Sequence, residues 1–91
     1  MTNPVRDNHE QSRFELDIDG QIVFANYRRT GSTLAILHVE APLPLCGTGA
    51  AGRLMGGIME IARATGAKIV PLCGYASAWL RRHREYAELL A

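Results

Sequence analysis

The chain has 91 residues and a formal net charge of +1, with 47% hydrophobic and 21% charged residues. This is the composition of an ordinary globular domain, and the small net charge gives no overall attraction to nucleic acid or to an acidic membrane surface. No apolar run approaches the roughly 18–20 residues needed to span a bilayer.

The N-terminal residues 1–11 are polar and non-periodic. They lack the apolar core of a signal peptide, so we expect a cytoplasmic protein in which 1–11 form a flexible arm and 12–91 form a single domain. The cysteines, Cys46 and Cys73, show no paired metal-ligand spacing. We therefore expect no metal, and we expect both thiols to stay reduced in the cytosol.

An antiparallel meander is predicted for the first half of the chain. From Arg13, apolar and polar residues alternate, which is typical of a half-buried strand. The alternating residues are Phe14, Leu16 and Ile18 on one side and Glu15 and Asp17 on the other. Asp19-Gly20 favours a tight turn into a second strand from Gln21 to about Arg28. After a turn at 29–32, Thr33–Val39 is apolar on both faces and is predicted to be an interior strand.

A helix is predicted from about Gly49 or Ala50 as far as Gly66, a residue suited to ending it. One face carries apolar or small residues: Ala51, Leu54, Met55, Ile58, Ala62 and Thr65. Gly52, Gly56 and Gly57 each cost about 1 kcal/mol relative to alanine inside a helix. Either another group approaches these glycines closely, or the helix simply tolerates them.

The remaining elements complete an α+β (α/β) fold. Lys68–Leu72 is predicted to be a fourth strand, in which Pro71 removes a ladder donor, so the strand lies at an edge or parts from its neighbour there. A helix from about Tyr75 to Arg82 and a last helical turn at 85–90 follow. The crossover helix would make the third and fourth strands parallel.

The stretch Leu45–Met55 joins a proline-containing loop to the helix and is rich in glycine. Such a junction exposes backbone N–H groups at a helix start, which favours a bound anion and predicts a phosphate-binding turn. Residues 47–52 match the dinucleotide pattern G-x-G-x-x-G. However, seven residues with two prolines separate them from the preceding strand, and no acidic residue follows at the required distance, so this reading fails.

The same segment resembles the acetyl-CoA pyrophosphate loop of the GNAT acyltransferases, whose pattern is Arg/Gln-x-x-Gly-x-Gly/Ala. Cys46-Gly47-Thr48-Gly49-Ala50-Ala51 fits this pattern at Gly49 and Ala51 and departs from it at Cys46. Downstream, Val70-Pro71-Leu72-Cys73 and Arg81-Arg82-His83-Arg84-Glu85-Tyr86 resemble the Val-Pro-x-Cys and Arg-Arg-His-Pro-Glu-Tyr segments of a small single-domain branch. Arg84 stands in place of the branch's proline.

This resemblance, which covers roughly residues 5–90, implies a minimal GNAT-like fold in which two parallel strands splay apart around the pantetheine arm of acetyl-CoA. Pro71 suits that gap. The implied residues for binding the pyrophosphate are Cys46, Gly47, Thr48, Gly49, Ala50 and Ala51. Arg81, Arg82 and His83 would meet the CoA phosphates or form a solvated face.

Acyl transfer from a thioester to an amine needs a deprotonated amine, support for the oxyanion and a proton for the thiolate. Cys73 follows the strand end where the resemblance places the thioester. It would form an acyl-enzyme, protonate the CoA sulfur, or be an inert packed thiol. His38 and Glu40 are two residues apart on a strand, share a face and could relay the amine proton. Alternatively, His38 packs in the core behind Leu34 and Ile36 and Glu40 is solvated.

The resulting hypothesis is an acetyl-CoA-dependent N-acetyltransferase that acts on an unidentified amine, either a small molecule or a protein. One alternative is a CoA-binding module without catalysis. A weaker one is a nucleic-acid or partner-binding domain that uses the cluster 81–84, although this cluster lacks the aromatic ladder of a nucleic-acid site.

Overall fold

The computed structural model describes residues 4–91 and contains one five-stranded sheet with two α-helices. The strands are β1 (Arg6–Asn8), β2 (Arg13–Ile18), β3 (Gln21–Thr30), β4 (Thr33–Glu40) and β5 (Lys68–Pro71). The helices are α1 (Ala50–Thr65) and α2 (Gly74–Arg82), with 3₁₀ helices at Leu43–Leu45 and Arg84–Leu89. Among the described residues, no helix is both long and apolar enough to cross a membrane.

The strands lie in the sheet in chain order. β2, β3 and β4 pair antiparallel, and α1 carries the chain back so that β5 lies parallel to β4. This confirms the predicted α+β fold with an antiparallel meander, a crossover helix and a parallel last strand. β3 runs to Thr30, two residues beyond its predicted end, because Thr30 pairs with Thr33 across a tighter turn.

The core lies between one face of the sheet and the helices. Its largest fully buried side chains are Phe14, Leu16, Val23, Leu34, Ile36 and Ile69 from the sheet and Leu54, Met55, Ile58 and Met59 from α1. Burying each of these side chains contributes about 1.5–3 kcal/mol. α2 adds Ala76, Trp79 and Leu80 to the same cluster. The helices therefore cover one face of the sheet.

The prediction that Thr33–Val39 is an interior strand is confirmed, because β4 lies between β3 and β5. Its apolar second face is nevertheless open near the end of the strand, where Leu37 is 37% exposed and His38 is also exposed. Because α1 and α2 join a single core cluster, the second face of β4 has no helix to cover it.

The predicted flexible arm, 1–11, needs a correction. Residues 1–3 lie outside the described part of the chain, but Arg6–Asn8 is a fifth strand that pairs antiparallel with β2, and Val5 is buried in the core. Three polar residues carry no apolar alternation, so local pattern gives no signal for this strand. Its pairing and the side chains described next hold it in place.

Glu15 is the buried charge that ties β1 to the sheet, with only 3% of its side chain exposed. Arg6 donates hydrogen bonds of 3.0 and 2.8 Å to one carboxylate oxygen, and Asn8 and Arg13 donate bonds of 3.1 and 2.6 Å to the other. Burial alone would raise the pKa of Glu15, but the hydrogen bonds from Arg13, Asn8 and Arg6 outweigh it and lower the pKa to about 2.

We expect Glu15→Gln to destabilise the protein by about 2 kcal/mol at neutral pH, because the amide cannot accept all of these charge-assisted bonds. The folded-state pKa lies below the ordinary value of 4.5, so this contribution is present above pH 4.5 and is lost as the pH falls towards 2. Urea unfolding of wild type and variant at several pH values should show that the gap between their free energies of unfolding closes as the pH falls. Glu10→Gln, at an exposed carboxylate, is the control. A gap that stays constant down to about pH 3 would contradict this account.

Candidate active site

The N-terminus of α1 is built to leave backbone N–H groups open. Gly49 is its N-cap with φ +86°, no side chain caps it, and its first turn contains no acidic residue. Gly47 has φ +80°. A side chain would strain both positions, so glycine is required for this turn. An uncapped helix start carries partial positive charge and free donors, which together favour an anion.

Two of the predicted phosphate-binding residues use their amides internally. The Cys46 N–H donates to the Leu43 carbonyl, and the N–H and hydroxyl of Thr48 both donate to the Leu45 carbonyl. Within the described part of the chain, five other amides make no backbone hydrogen bond: those of Gly47, Gly49, Ala50, Ala51 and Gly52. We call these five groups the amide cradle.

The amide cradle opens into a cleft of about 340 Å³. Besides the cradle residues, Ala41, Leu45, Cys46 and Tyr75, in the first turn of α2, line it. The Cys46 thiol points back to the carbonyls of Ala41 and Pro42, each at 3.7 Å. The cleft therefore lies between a set of free donors and the start of α2.

Gly52 allows α2 to approach α1. A Cβ at this position would lie 3.3 Å from Nε1 of Trp79 and 3.8 Å from the hydroxyl of Tyr75, whereas a Cβ at Gly56 would meet nothing within 4 Å. Of the two interpretations of the helix glycines, close approach of another group applies at Gly52, whereas at Gly56 the helix simply tolerates the glycine.

The sequence predicts that β5, which contains Pro71, lies at an edge or parts from its neighbour; β5 is an edge strand, and it parts from β4 just after Pro71. Ile36 and Pro71 are the last paired residues, and beyond them the Leu72 and Cys73 amides both donate to the Ile36 carbonyl, at 3.0 and 3.2 Å. The outer side of β5 is bridged by Leu90.

Cys73 stands where the strands part and is the N-cap of α2. Its sulfur accepts a hydrogen bond of 3.3 Å from the Ala76 N–H, and the half-buried side chain packs against the core cluster. A donor at a helix start stabilises negative charge, so this position suits a sulfur that gains charge during a reaction.

His38 and Glu40 are brought together, with Nε2 and Oε1 3.1 Å apart and both side chains more than half exposed. The interpretation of His38 as a core residue behind Leu34 and Ile36 is wrong. Across β3, Asn26 pairs with His38 but Tyr27 pairs with Ile36, so Leu37 is an extra residue that forms a bulge. The bulge turns His38 away from the face of Ile36.

The predicted phosphate-binding residues near the C-terminus differ in their contacts. His83 stacks on Trp79 with ring centroids 3.8 Å apart, and its Nδ1 donates to the Trp79 carbonyl at 2.8 Å. Arg81 donates to Ser77 at 3.2 Å.

Arg82 lies two helical turns after Tyr75 on the same face of α2. Burial raises the pKa of Tyr75, and the charge of Arg82 opposes this shift. Arg82 is thus the member of this set whose charge acts on a residue that lines the cleft.

Comparison with known proteins identifies the family. The sequence profile of the GCN5-related N-acetyl-transferase family matches residues 13–89. The chain belongs to this family. The match spans the amide cradle, the parting strands and Cys73. The resemblance inferred from the glycine turn and the Val-Pro-x-Cys segment is therefore confirmed.

The fold is similar to that of a GCN5-like protein from Staphylococcus aureus, solved by NMR in solution. The TM-score is 0.69 with 22% sequence identity, and the match covers 100% of this chain and 91% of the other. No curated protein matches the chain. Among residues 4–91, no group of three or more His, Cys, Asp or Glu side chains could hold a metal ion.

Sequence reasoning missed three features near the site. Tyr75 could have been noticed as an aromatic residue in the first turn after Cys73. Arg53 lies exposed on α1 immediately after the cradle, and sequence reasoning gave it no role. The Leu37 bulge has no local signal, because it arises only from the register between β3 and β4.

Gly56→Ala and Gly52→Ala form a matched pair on the same helix. We expect Gly56→Ala to raise the free energy of unfolding by about 1 kcal/mol, through helix propensity alone. At Gly52 the same gain is offset because Trp79 must move to admit the Cβ. Urea unfolding of both variants measures the difference, and equal gains would contradict a tight contact between α1 and α2.

Proposed function

We propose that this protein transfers the acetyl group of acetyl-CoA to an amine. The observation that supports this most directly is that one cleft is lined both by five amides without backbone partners at an uncapped helix start and by Tyr75, two residues from Cys73. A diphosphate bound at the amides, with the thioester placed near Cys73, would match that arrangement.

The residues present fit the phosphate end of CoA. The amide cradle supplies donors without side chains, and the glycines leave the backbone accessible to a bulky anion. Arg53 and Arg82 place positive charge on the two helices that flank the cleft. The proposed phosphate contacts are therefore the cradle amides, supplemented by these two side chains.

The thioester supplies an activated acyl group. The reaction forms a C–N bond and breaks a C–S bond, while the amine loses one proton and the departing thiolate gains one. His38, held by Glu40 at 3.1 Å, is the proposed acceptor of the amine proton, either directly or through water. Both side chains are exposed, so protons can pass to solvent from this pair.

Cys73 has two proposed roles that its position supports equally. As a thiol it can donate a proton to the departing sulfur. As a nucleophile it can take the acetyl group first and pass it to the amine in a second step. In either role the Ala76 N–H stabilises charge on the Cys73 sulfur.

Cys46→Arg should tighten CoA binding by about tenfold, because a guanidinium in the cleft adds a charge-assisted contact to phosphate. Titration calorimetry with CoA measures this effect. Ala64→Arg, which adds the same charge on an exposed position near the far end of α1, is the control and should leave the affinity unchanged. Absence of CoA binding to the wild type would overturn the proposed function. Equal or weaker affinity of Cys46→Arg would overturn the assignment of the phosphates to this end of the cleft.

Intact mass after incubation with acetyl-CoA separates the two roles of Cys73. An acyl-enzyme predicts one added acetyl group in wild type and in Cys46→Ala, which lacks the other, exposed thiol, but none in Cys73→Ala. A role as proton donor predicts no stable adduct, with slower release of CoA thiol by Cys73→Ala in the presence of an amine panel. Unchanged turnover in Cys73→Ala would exclude both roles.

A further inference from the structure

A second cleft, of about 480 Å³, lies at the β4 bulge, on the side of β4 that faces β3 and not β5. Its lining residues are His9, Ser12, Tyr27, Arg28, Arg29 and Leu37. Leu37 is the extra residue of the bulge, and the other residues belong to β3 and to the loop between β1 and β2. This cleft shares no lining residue with the one at the amide cradle.

The sheet register places the second cleft next to the point where β4 and β5 part. Tyr27, Ile36 and Pro71 lie side by side on three adjacent strands, and the Cys73 amide donates to the Ile36 carbonyl. With about 4.8 Å between strands, the cleft wall at Tyr27 is about 10 Å from β5. Leu37 lies between Ile36 and His38, so the bulge forms the boundary between this cleft and the proposed proton acceptor.

The charge in the second cleft is positive. Arg28 is exposed, and among the residues that the structure describes it has no hydrogen bond or ion pair. Arg29 bonds to Asp7 at 3.1 Å, and His9 lies 3.3 Å from the same carboxylate, which also accepts the Tyr27 hydroxyl. Asp7 can balance only one cation, so the Arg28 guanidinium remains uncompensated.

Ser12 gives the cleft wall a fixed and strained geometry. Its φ of +51° is unusual for a residue with a side chain, and its backbone is held at both ends, by the His9 carbonyl and by the Tyr27 amide. Within residues 4–91 its hydroxyl has no hydrogen-bond partner. A free hydroxyl beside a free guanidinium is a donor pair suited to an anionic oxygen group.

We propose that the second cleft binds the acceptor, and that this acceptor is a small amine that also carries a carboxylate or phosphate group. The anion would bind Arg28 and Ser12, and the amine would cross the bulge to His38 and the parting strands. This inference rests on the proposed acetyl transfer.

The same charge arrangement favours the reaction. A cation in the cleft disfavours the protonated form of a nearby amine, and only the neutral amine can attack the thioester. It also repels acceptors that carry several positive charges, such as polyamines or lysine-rich peptides. The cleft thus selects against amines that carry no anionic group.

Matched amine pairs test the proposal. β-Alanine is compared with propylamine, and phosphoethanolamine with ethanolamine, by release of CoA thiol from acetyl-CoA. We expect the anionic member of at least one pair to have the lower KM, and the better pair distinguishes carboxylate from phosphate. Arg28→Gln should raise the KM for that anionic amine about tenfold, with little change for its neutral partner. Arg28→Lys should restore part of the effect, and Arg84→Gln, which changes an exposed arginine outside both clefts, should have none.

A binding measurement that does not require turnover completes the test. In ¹⁵N-labelled protein, the anionic amine should shift the amide resonances of Ser12, Arg28 and Leu37, while CoA should shift those of Gly47–Gly52. If CoA shifts no resonances while the anionic amine does, the proposed acetyl transfer is refuted. Any of four results would overturn the assignment of the acceptor. Two are CoA shifts without amine shifts and equal KM values within both pairs. The others are a preference for spermidine and an equal rise in KM for neutral and anionic amines in Arg28→Gln.

Discussion

The Ile36 carbonyl ends the pairing between β4 and β5, because it receives the amides of both Leu72 and Cys73. The Lys68 and Leu72 amides donate towards β4, whereas Ile69 accepts from Ala91 on the outer side, so alternation directs the Pro71 nitrogen to the outer edge of the sheet. A proline there removes no bond to β4. The chain then turns directly into α2, and this turn places the half-buried thiol of Cys73 at a helix start where the two strands part.

The two helix starts complement each other. α1 begins without a capping side chain and offers amides, whereas α2 begins with the Cys73 sulfur as its cap. They approach because Gly52 leaves room for Trp79, which in turn stacks on His83. The run Arg81-Arg82-His83 therefore has divided contacts in this chain: His83 supports the packing of α2, and the charge of Arg82 acts on Tyr75 at the cleft.

The face of the sheet opposite the helices is organised by charge instead of apolar burial. Glu15 is buried there by Arg6, Asn8 and Arg13, and Arg13 also lies over the Phe24 ring at 4.6 Å. This arrangement fixes β1, and β1 in turn supplies Asp7 to Arg29 and Tyr27. The wall of the second cleft thus depends on β1, the edge strand that the local sequence pattern does not reveal.

Sequence alone determined the features that depend on neighbouring residues. Alternation located β2, the helical period located α1, Gly66 ended it, and Pro71 indicated a strand that lies at an edge or parts from its neighbour. The glycine turn and Cys73 could be identified as candidate site residues because they combine a local conformational requirement with a recognisable motif. Each of these signals spans only a few residues.

Only the tertiary structure decided the features that depend on pairing between distant segments. β1 exists because Arg6 and Asn8 meet Glu15 across a loop, and the bulge at Leu37 exists because β3 and β4 slip by one residue. That slip moves His38 to the open face, next to Glu40, where strand alternation alone would place it behind Ile36. A change of register by one residue reverses the face of every side chain that follows it, and no local pattern encodes that register.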